Sequence, residues 1–263
     1  MSPQANKTSI EWTDLSWNIV TGCDSVSPGC DRCYARTFAE RFRGVPGNHF
    51  EKGFDLQLRP ERMDIPLHTK KPSKFFVNSM SDWLHKDIPD DYILQMFEVM
   101  LQADQHIYQL LTKRPGRLAD SDVLRLKLKT LFMQRTGKPD WPAHIWNGVS
   151  VESQAYTWRI HTAVIMRAPV TFVSAEPLLG PLNLQGDGHY CLQDLAWVIT
   201  GAESGHGARS MNEDWVRSLR DQCVKTGVAF FYKQDARNGR KIPTPELDGQ
   251  VWTQYPQVQE EAQ

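Results

Sequence analysis

Lys74-Phe75-Phe76-Val77-Asn78-Ser79-Met80-Ser81-Asp82 is a short apolar run that stops abruptly on small and polar residues. That profile belongs to a parallel strand buried on both faces, which has no polar side to alternate and ends at a rim where polar side chains collect. Similar runs lie at 16–20, 107–111, 145–149, 170–174, 196–200 and 228–232, so with 74–78 there are seven candidate strands. Helices are expected between them, at 31–42, 90–103, 152–166 and 212–226. The helix at 90–103 opens on acidic residues that suit a helix amino end, and the one at 212–226 stops before Gly227. Such alternation argues for βα units, and the chain reads as an α/β fold, a parallel (β/α) barrel of TIM type, full or partial. No Gly-x-Gly-x-x-Gly follows an early strand, which argues against a dinucleotide-binding sheet.

The expected layout is a single barrel domain over 1–238, with insertions near 45–72 and 118–142, and a polar, loosely packed tail over 239–263. The chain has 263 residues, of which 40% are hydrophobic, and a net charge of −1. That balance gives no global attraction to nucleic acid, so any such binding would need a local basic patch. No apolar run reaches the roughly 18 residues of a membrane-spanning helix, and the opening MSPQANKTSIEW lacks the apolar core of a signal peptide. A cytoplasmic protein is expected, in which clustered cysteines stay reduced and usually bind metal.

If the strands are parallel, their carboxyl ends share one rim, where barrel enzymes place their chemistry. The residues just beyond each run are then Cys23; Asn78, Ser79 and Asp82, with His85 behind; Lys113 and Arg114; Glu152; Glu176; Glu203; and Lys233 with Gln234. Singly each has a bland reading: Asp82 as a turn cap, Glu152 and Glu203 in first helical turns, Lys113 as a solvated charge. Together they imply a polar, ligand-sized bowl. Glu176 is the sharpest of them, held at a strand end by the proline that follows it.

Cys23, Cys30 and Cys33 bring three thiols into one loop with the spacing Cys-x6-Cys-x2-Cys. Four thiolates would close a structural zinc site or fully ligate a cluster, whereas three leave one coordination position open. Zinc would take its fourth ligand from Asp24, His49, His85 or a water, and an iron–sulfur cluster would expose one iron; the residues alone leave both open. Cys191 and Cys223 are isolated and read as ordinary thiols.

Several blocks extend this reading: Ser9-Ile-Glu-Trp-Thr-Asp14, Thr21-Gly22-Cys23, Pro28-Gly29-Cys30-Asp-Arg-Cys33-Tyr34-Ala35, Phe76-Val-Asn-Ser-Met-Ser-Asp82, Leu111-Thr-Lys-Arg-Pro115, Gly148-Val-Ser-Val-Glu152, Val173-Ser-Ala-Glu-Pro-Leu-Leu-Gly-Pro181 and Phe231-Tyr-Lys-Gln234. In this order they resemble a phage-type three-cysteine family of unknown function, classed as radical-SAM-like, over nearly the whole chain. The resemblance implies a [4Fe–4S] cluster on Cys23, Cys30 and Cys33, with S-adenosylmethionine (SAM) on the open iron. Cleaved reductively, SAM would yield a 5′-deoxyadenosyl radical, with the electron coming from a donor such as flavodoxin or ferredoxin. Radical-SAM enzymes usually have Cys-x3-Cys-x2-Cys, and Asn78–Asp82 stands where a Gly-Gly-Glu block usually holds the methionine amino group.

On this reading Asn78, Ser79 and Asp82 face the methionine end of SAM, and Glu152, Glu176 and Glu203 its ribose or the substrate. Lys113, Arg114 and Lys233 suit an anionic substrate such as a phosphate. Glu176, Lys113 and Lys233 are the catalytic candidates. Trp12, Trp17 and Trp83 suit stacking on a nucleic-acid substrate, or else packing around the cluster. The alternatives are a zinc-dependent hydrolase or nuclease with Glu176 or Asp82 as general base, and a non-catalytic cluster-bearing module that binds nucleic acid or a partner.

Overall fold

The computed structural model describes residues 6–257, except 187, 189, 206, 238 and 239. The chain divides into two compact units, Met1–Asp140 and Trp141–Gln263. Both are built of mostly parallel strands with intervening helices, the mixed α/β class read from the sequence. None of the helices among the described residues is long and apolar enough to cross a membrane.

The first unit contains β1 (Asn6–Lys7), β2 (Leu15–Trp17), β3 (Val20–Thr21), α1 (Tyr34–Glu40), β4 (Gln57–Leu58), α2 (Ile65–His68), β5 (Lys74–Val77), α3 (Asp90–Gln102), β6 (Ile107–Thr112), α4 (Gly116–Asp120) and α5 (Asp122–Thr136). β2, β5 and β6 run parallel in that order, and β1 pairs antiparallel with β2. Phe75, Phe76 and Val77 are buried on both faces of β5, which is why that strand has no polar alternation. The expected strand at 16–20 is split into β2 and β3. Asn78 Oδ1 accepts from the backbone N–H groups of Ile19 and Val20, each at 3.1 Å, so the chain leaves β2 and pairs with β4 instead. α3 presents Ile93, Met96, Phe97 and Met100 inward at helical spacing, and its first turn carries Asp90 and Asp91.

The segment 118–142, expected as an insertion, is largely helical. α5 is the helix that follows β6, with Ser121 Oγ accepting from Leu124 N at 3.2 Å and Gly137 closing the other end at φ +74°. Its buried stripe is only Leu124, Leu128 and Phe132, while Val123, Leu126 and Met133 are exposed. Those outward apolar residues blur the periodicity that would mark the helix in the sequence.

The second unit contains β7 (Ile145–Ser150), α6 (Trp158–Val164), β8 (Thr171–Ala175), β9 (Trp197–Gly201), α7 (Glu213–Thr226), β10 (Ala229–Arg237), β11 (Arg240–Pro243), β12 (Glu246–Leu247) and β13 (Gln250–Val251). β7, β8, β9 and β10 are parallel neighbours in that order, and β11 returns antiparallel along β10. Gly148 makes room within β7: a Cβ there would lie 2.3 Å from the Phe172 ring. α7 starts where Asn212 Oδ1 accepts from Asp214 N and ends at Gly227, φ +73°.

The expected loose tail is folded. Residues 239 and 258–263 lie outside the described residues; between them the chain returns to the sheet. Trp252 O accepts from Tyr232 N at 2.8 Å, Phe230 O from Gln254 N at 3.1 Å, and Gln254 O from the Trp197 indole at 2.8 Å. Leu247 is fully buried, and Tyr255 packs on Trp197 and Phe231. A few apolar residues placed among polar ones hold this end, a pattern too sparse to stand out in sequence.

Candidate metal centre

In the first unit the ends of β3, β5 and β6 gather the cysteine loop, the 78–82 segment and the 112–114 turn. The loop starts from a rigid base. Gly22 N donates to Met80 O at 3.0 Å, and Ser81 Oγ donates to Gly22 O at 2.6 Å. Asn18 Oδ1 accepts from both Ser79 Oγ and Met80 N at 3.1 Å. Gly22 sits at φ +87°, and a Cβ there would lie 2.2 Å from Asp55 O, so the backbones meet too closely for any side chain. Beyond it, Cys30 N donates to Ser27 O and Cys33 N to Cys30 O, and Cys33 leads into α1, its carbonyl accepting from Thr37 N.

All three thiols are free and half-buried. Cys23 and Cys33 pack with Phe50 and Met80 against Ala35, Ala39 and Phe54. Burial and then the neighbouring Asp82 charge push the Cys23 thiol up to about 11, against the pull of Arg114. Among the described residues, Asp24, His85 and Asp87 have ligand atoms all within 4.8 Å of one another, and that group includes no cysteine. Asp24 and His85, both expected as fourth zinc ligands, pair with each other: His85 Nε2 lies 3.2 Å from Asp24 Oδ2, and its Nδ1 accepts from Asp87 N. His49 stands edge-on against Phe50.

Asp82 is buried and used by four donors. Oδ1 accepts from Leu84 N at 3.0 Å and Thr112 Oγ1 at 2.7 Å, and Oδ2 from Lys113 N at 2.9 Å and Arg114 Nη1 at 3.1 Å. Arg114 Nη1 also reaches Cys23 Sγ at 3.2 Å, and its Nη2 donates to Asp24 O at 2.7 Å. Burial works against the Arg114 charge, but Asp82 and Cys23 hold it above its ordinary value. The arginine expected to meet an anionic substrate thus meets a thiol. Asn78, at φ +59°, uses its oxygen on β3 and leaves Nδ2 buried without a partner among the described residues. Lys113 is half-buried, and no ion pair involves its ammonium among the described residues.

Trp12, Trp17 and Trp83 are buried, at 1%, 0% and 1% exposure, so they offer no stacking surface to bases. Trp17 donates to Arg62 O at 2.8 Å, Trp12 packs on Phe76 and Trp83 on Phe97. In each case the ring's large apolar area is worth more inside the core than at a rim.

In the second unit the ends of β7–β10 gather the acidic candidates. Glu152 is fully buried and paired with Arg159 at 2.9 Å; Arg159 also donates to Ser150 O and lies 4.3 Å from the Tyr156 ring. Glu203 holds Arg209, accepting from its backbone N–H at 2.8 Å and from its guanidinium. Glu176 pairs with Lys233 at 3.1 Å, and Ser174 Oγ stands 3.4 Å from its other oxygen. Gly201 lies beneath this pair: a Cβ there would come 2.7 Å from Glu176 Oε1. Gln234 donates to Ala202 O and Ser204 Oγ and keeps a buried Oε1 without a partner among the described residues. The sequence reading missed Arg159, Arg209, Asn18 and the Cys23 partnership of Arg114. Only the first had a local signal, lying seven residues beyond Glu152.

A family model described as a protein of unknown function (DUF5131) matches residues 7–256. Two solved structures of spore photoproduct lyase are similar to the chain at 10% identity, each covering 90% of this chain and 68% of the other. One is a double mutant with bound AdoMet and dinucleoside spore photoproduct, at a TM-score of 0.47. The other is a complex with dinucleoside spore photoproduct, at 0.43. No curated protein matches the chain.

Proposed function

This chain belongs to the DUF5131 family of unknown function, and from that premise we propose that it is an iron–sulfur enzyme of radical-SAM type. Cys23, Cys30 and Cys33 would hold a [4Fe–4S] cluster, and SAM would take the open iron. The observation that carries this reading is the donor set: three free, half-buried thiols on one stapled loop, the first of them held by Arg114. Three soft thiolates on one loop suit a [4Fe–4S] cluster, in which three irons take cysteines and the fourth stays open. When bound to a reduced cluster, SAM supplies a carbon-centred radical able to abstract hydrogen from an unactivated position.

The chain's own residues would position the reactants. Asp82 serves Arg114 and the 112–114 turn, so the methionine end of SAM would rely on the free Nδ2 of Asn78 and on backbone groups of 78–81. Within the first unit Lys113 would meet an anionic group, and in the second unit the largely buried Glu176–Lys233 pair is a separate catalytic candidate. An electron donor such as flavodoxin or ferredoxin would supply the reducing electron, and a nucleic-acid substrate would have to be gripped by groups other than the three buried tryptophans.

Anaerobic reconstitution tests the reading. The expected product is a brown protein with about four irons per chain that forms 5′-deoxyadenosine from SAM under reductant, and Cys30→Ala should lose both signals. A colourless protein holding one zinc would overturn it in favour of a zinc hydrolase.

A further inference from the structure

We propose that Arg114 is the positioning residue for Cys23, and that it raises the reduction potential of the cluster that thiol would carry. This rests on the cluster reading above and adds to it a residue that governs how readily the cluster accepts its electron.

The geometry is that of a built contact. The Arg114 side chain is only 14% exposed. Its Nη1 is shared between Cys23 Sγ at 3.2 Å and Asp82 Oδ2 at 3.1 Å, and its Nη2 donates to Asp24 O at 2.7 Å. One guanidinium therefore grips both the sulfur and the carbonyl of the residue that follows it. Neither anchor is loose: the Arg114 backbone N–H donates to Thr112 Oγ1 at 2.8 Å, and Asp82 is held by three further donors. A surface arginine attracted to a thiolate would have none of this support.

The chemistry follows from charge. Reduction adds one electron to the cluster and changes nothing else in the balance, so a permanent cation beside a ligating sulfur favours the reduced form. Removing it also leaves the buried Asp82 carboxylate unopposed a few ångströms from the same sulfur, which pushes the potential the same way. A hydrogen bond to a cluster sulfur acts in the same direction and fixes the ligand's orientation.

The experiment is a dithionite titration of the reconstituted holoprotein, followed by electron paramagnetic resonance, for wild type, Arg114→Gln and Arg114→Lys. Arg114→Gln should lower the midpoint potential and alter the reduced-cluster signal at unchanged iron content, while Arg114→Lys, which keeps the charge but not the fork, should fall between. Loss of the cluster in the Gln variant alone, with Lys retaining it, supports the same role. Full iron and an unchanged midpoint in both variants overturns it. So does failure of both variants to fold by circular dichroism, which would make Arg114 a strut. A wild-type protein without iron sinks the cluster reading itself, a distinct outcome.

Discussion

Glu152 and Arg159 show how a single residue can look functional in sequence and be structural in the fold. A carboxylate placed after a buried strand suggests a ligand contact, but its partner is an arginine at 1% exposure, seven residues on. Arg159→Met would strand that buried charge and is expected to cost about 3–5 kcal/mol in a urea titration, while Arg159→Met with Glu152→Leu should recover much of the loss. A double variant as unstable as the single one would mean Glu152 has another buried partner. Cys223 gives a pH test at the same scale. Burial pushes this thiol from 9.0 to about 12, so the native chain holds the proton more tightly than the unfolded chain does. Its stabilising effect is therefore complete below pH 9 and fades as pH rises toward 12. The stability advantage of wild type over Cys223→Ala should shrink across that window, and alkylation followed by mass spectrometry at pH 8 should label exposed Cys191 but not Cys223.

Among the elements, what could be read in sequence depended on how many neighbours decided the outcome. The runs at 74–77 and 145–150 were legible because burial on both faces writes itself as an unbroken apolar string. The division of the first strand at Asn18 was not, since it depends on Asn78, a residue 60 positions away, taking the amides of Ile19 and Val20. α5 was obscured by Val123, Leu126 and Met133 on its outer face. The cysteine loop belongs with the legible elements in its ligands and with the illegible ones in its support. Gly22 joins the two, because its positive φ and a backbone packed so close to Asp55 that a Cβ would lie 2.2 Å from Asp55 O hold the turn from β3 into the loop. Gly22→Ala should thus move the loop's first cysteine: reconstituted iron should fall several-fold while far-ultraviolet circular dichroism stays near wild type. Normal iron in that variant would show that the loop tolerates a displaced base.

At the scale of the whole molecule, the class of fold and the three thiols were legible and the partnerships were not. Strand–helix alternation is written in local periodicity, and three cysteines within eleven residues need no neighbour to be noticed. Which carboxylate meets which arginine depends on loops whose paths are set by tertiary packing, so Asp82, Glu152 and Glu203 looked alike in sequence and have three different partners. The carboxyl-terminal end misled for a related reason. Its composition is that of a solvated tail, yet it completes the second unit: Trp252 and Gln254 occupy backbone positions along β10, the Trp197 indole bonds to Gln254 O, and Leu247 is fully enclosed. A chain ending at Pro243 would expose Trp197, Phe230 and Phe231 and leave the N–H of Tyr232 and the carbonyl of Phe230 without their bonds. Large apolar area and unpaired strand groups released together favour association over folding. The truncated protein should be recovered mainly as aggregate, or should show protease cleavage within 141–243 under conditions in which the full chain resists. A soluble truncation with the full chain's melting temperature would return these residues to the status of a dispensable tail.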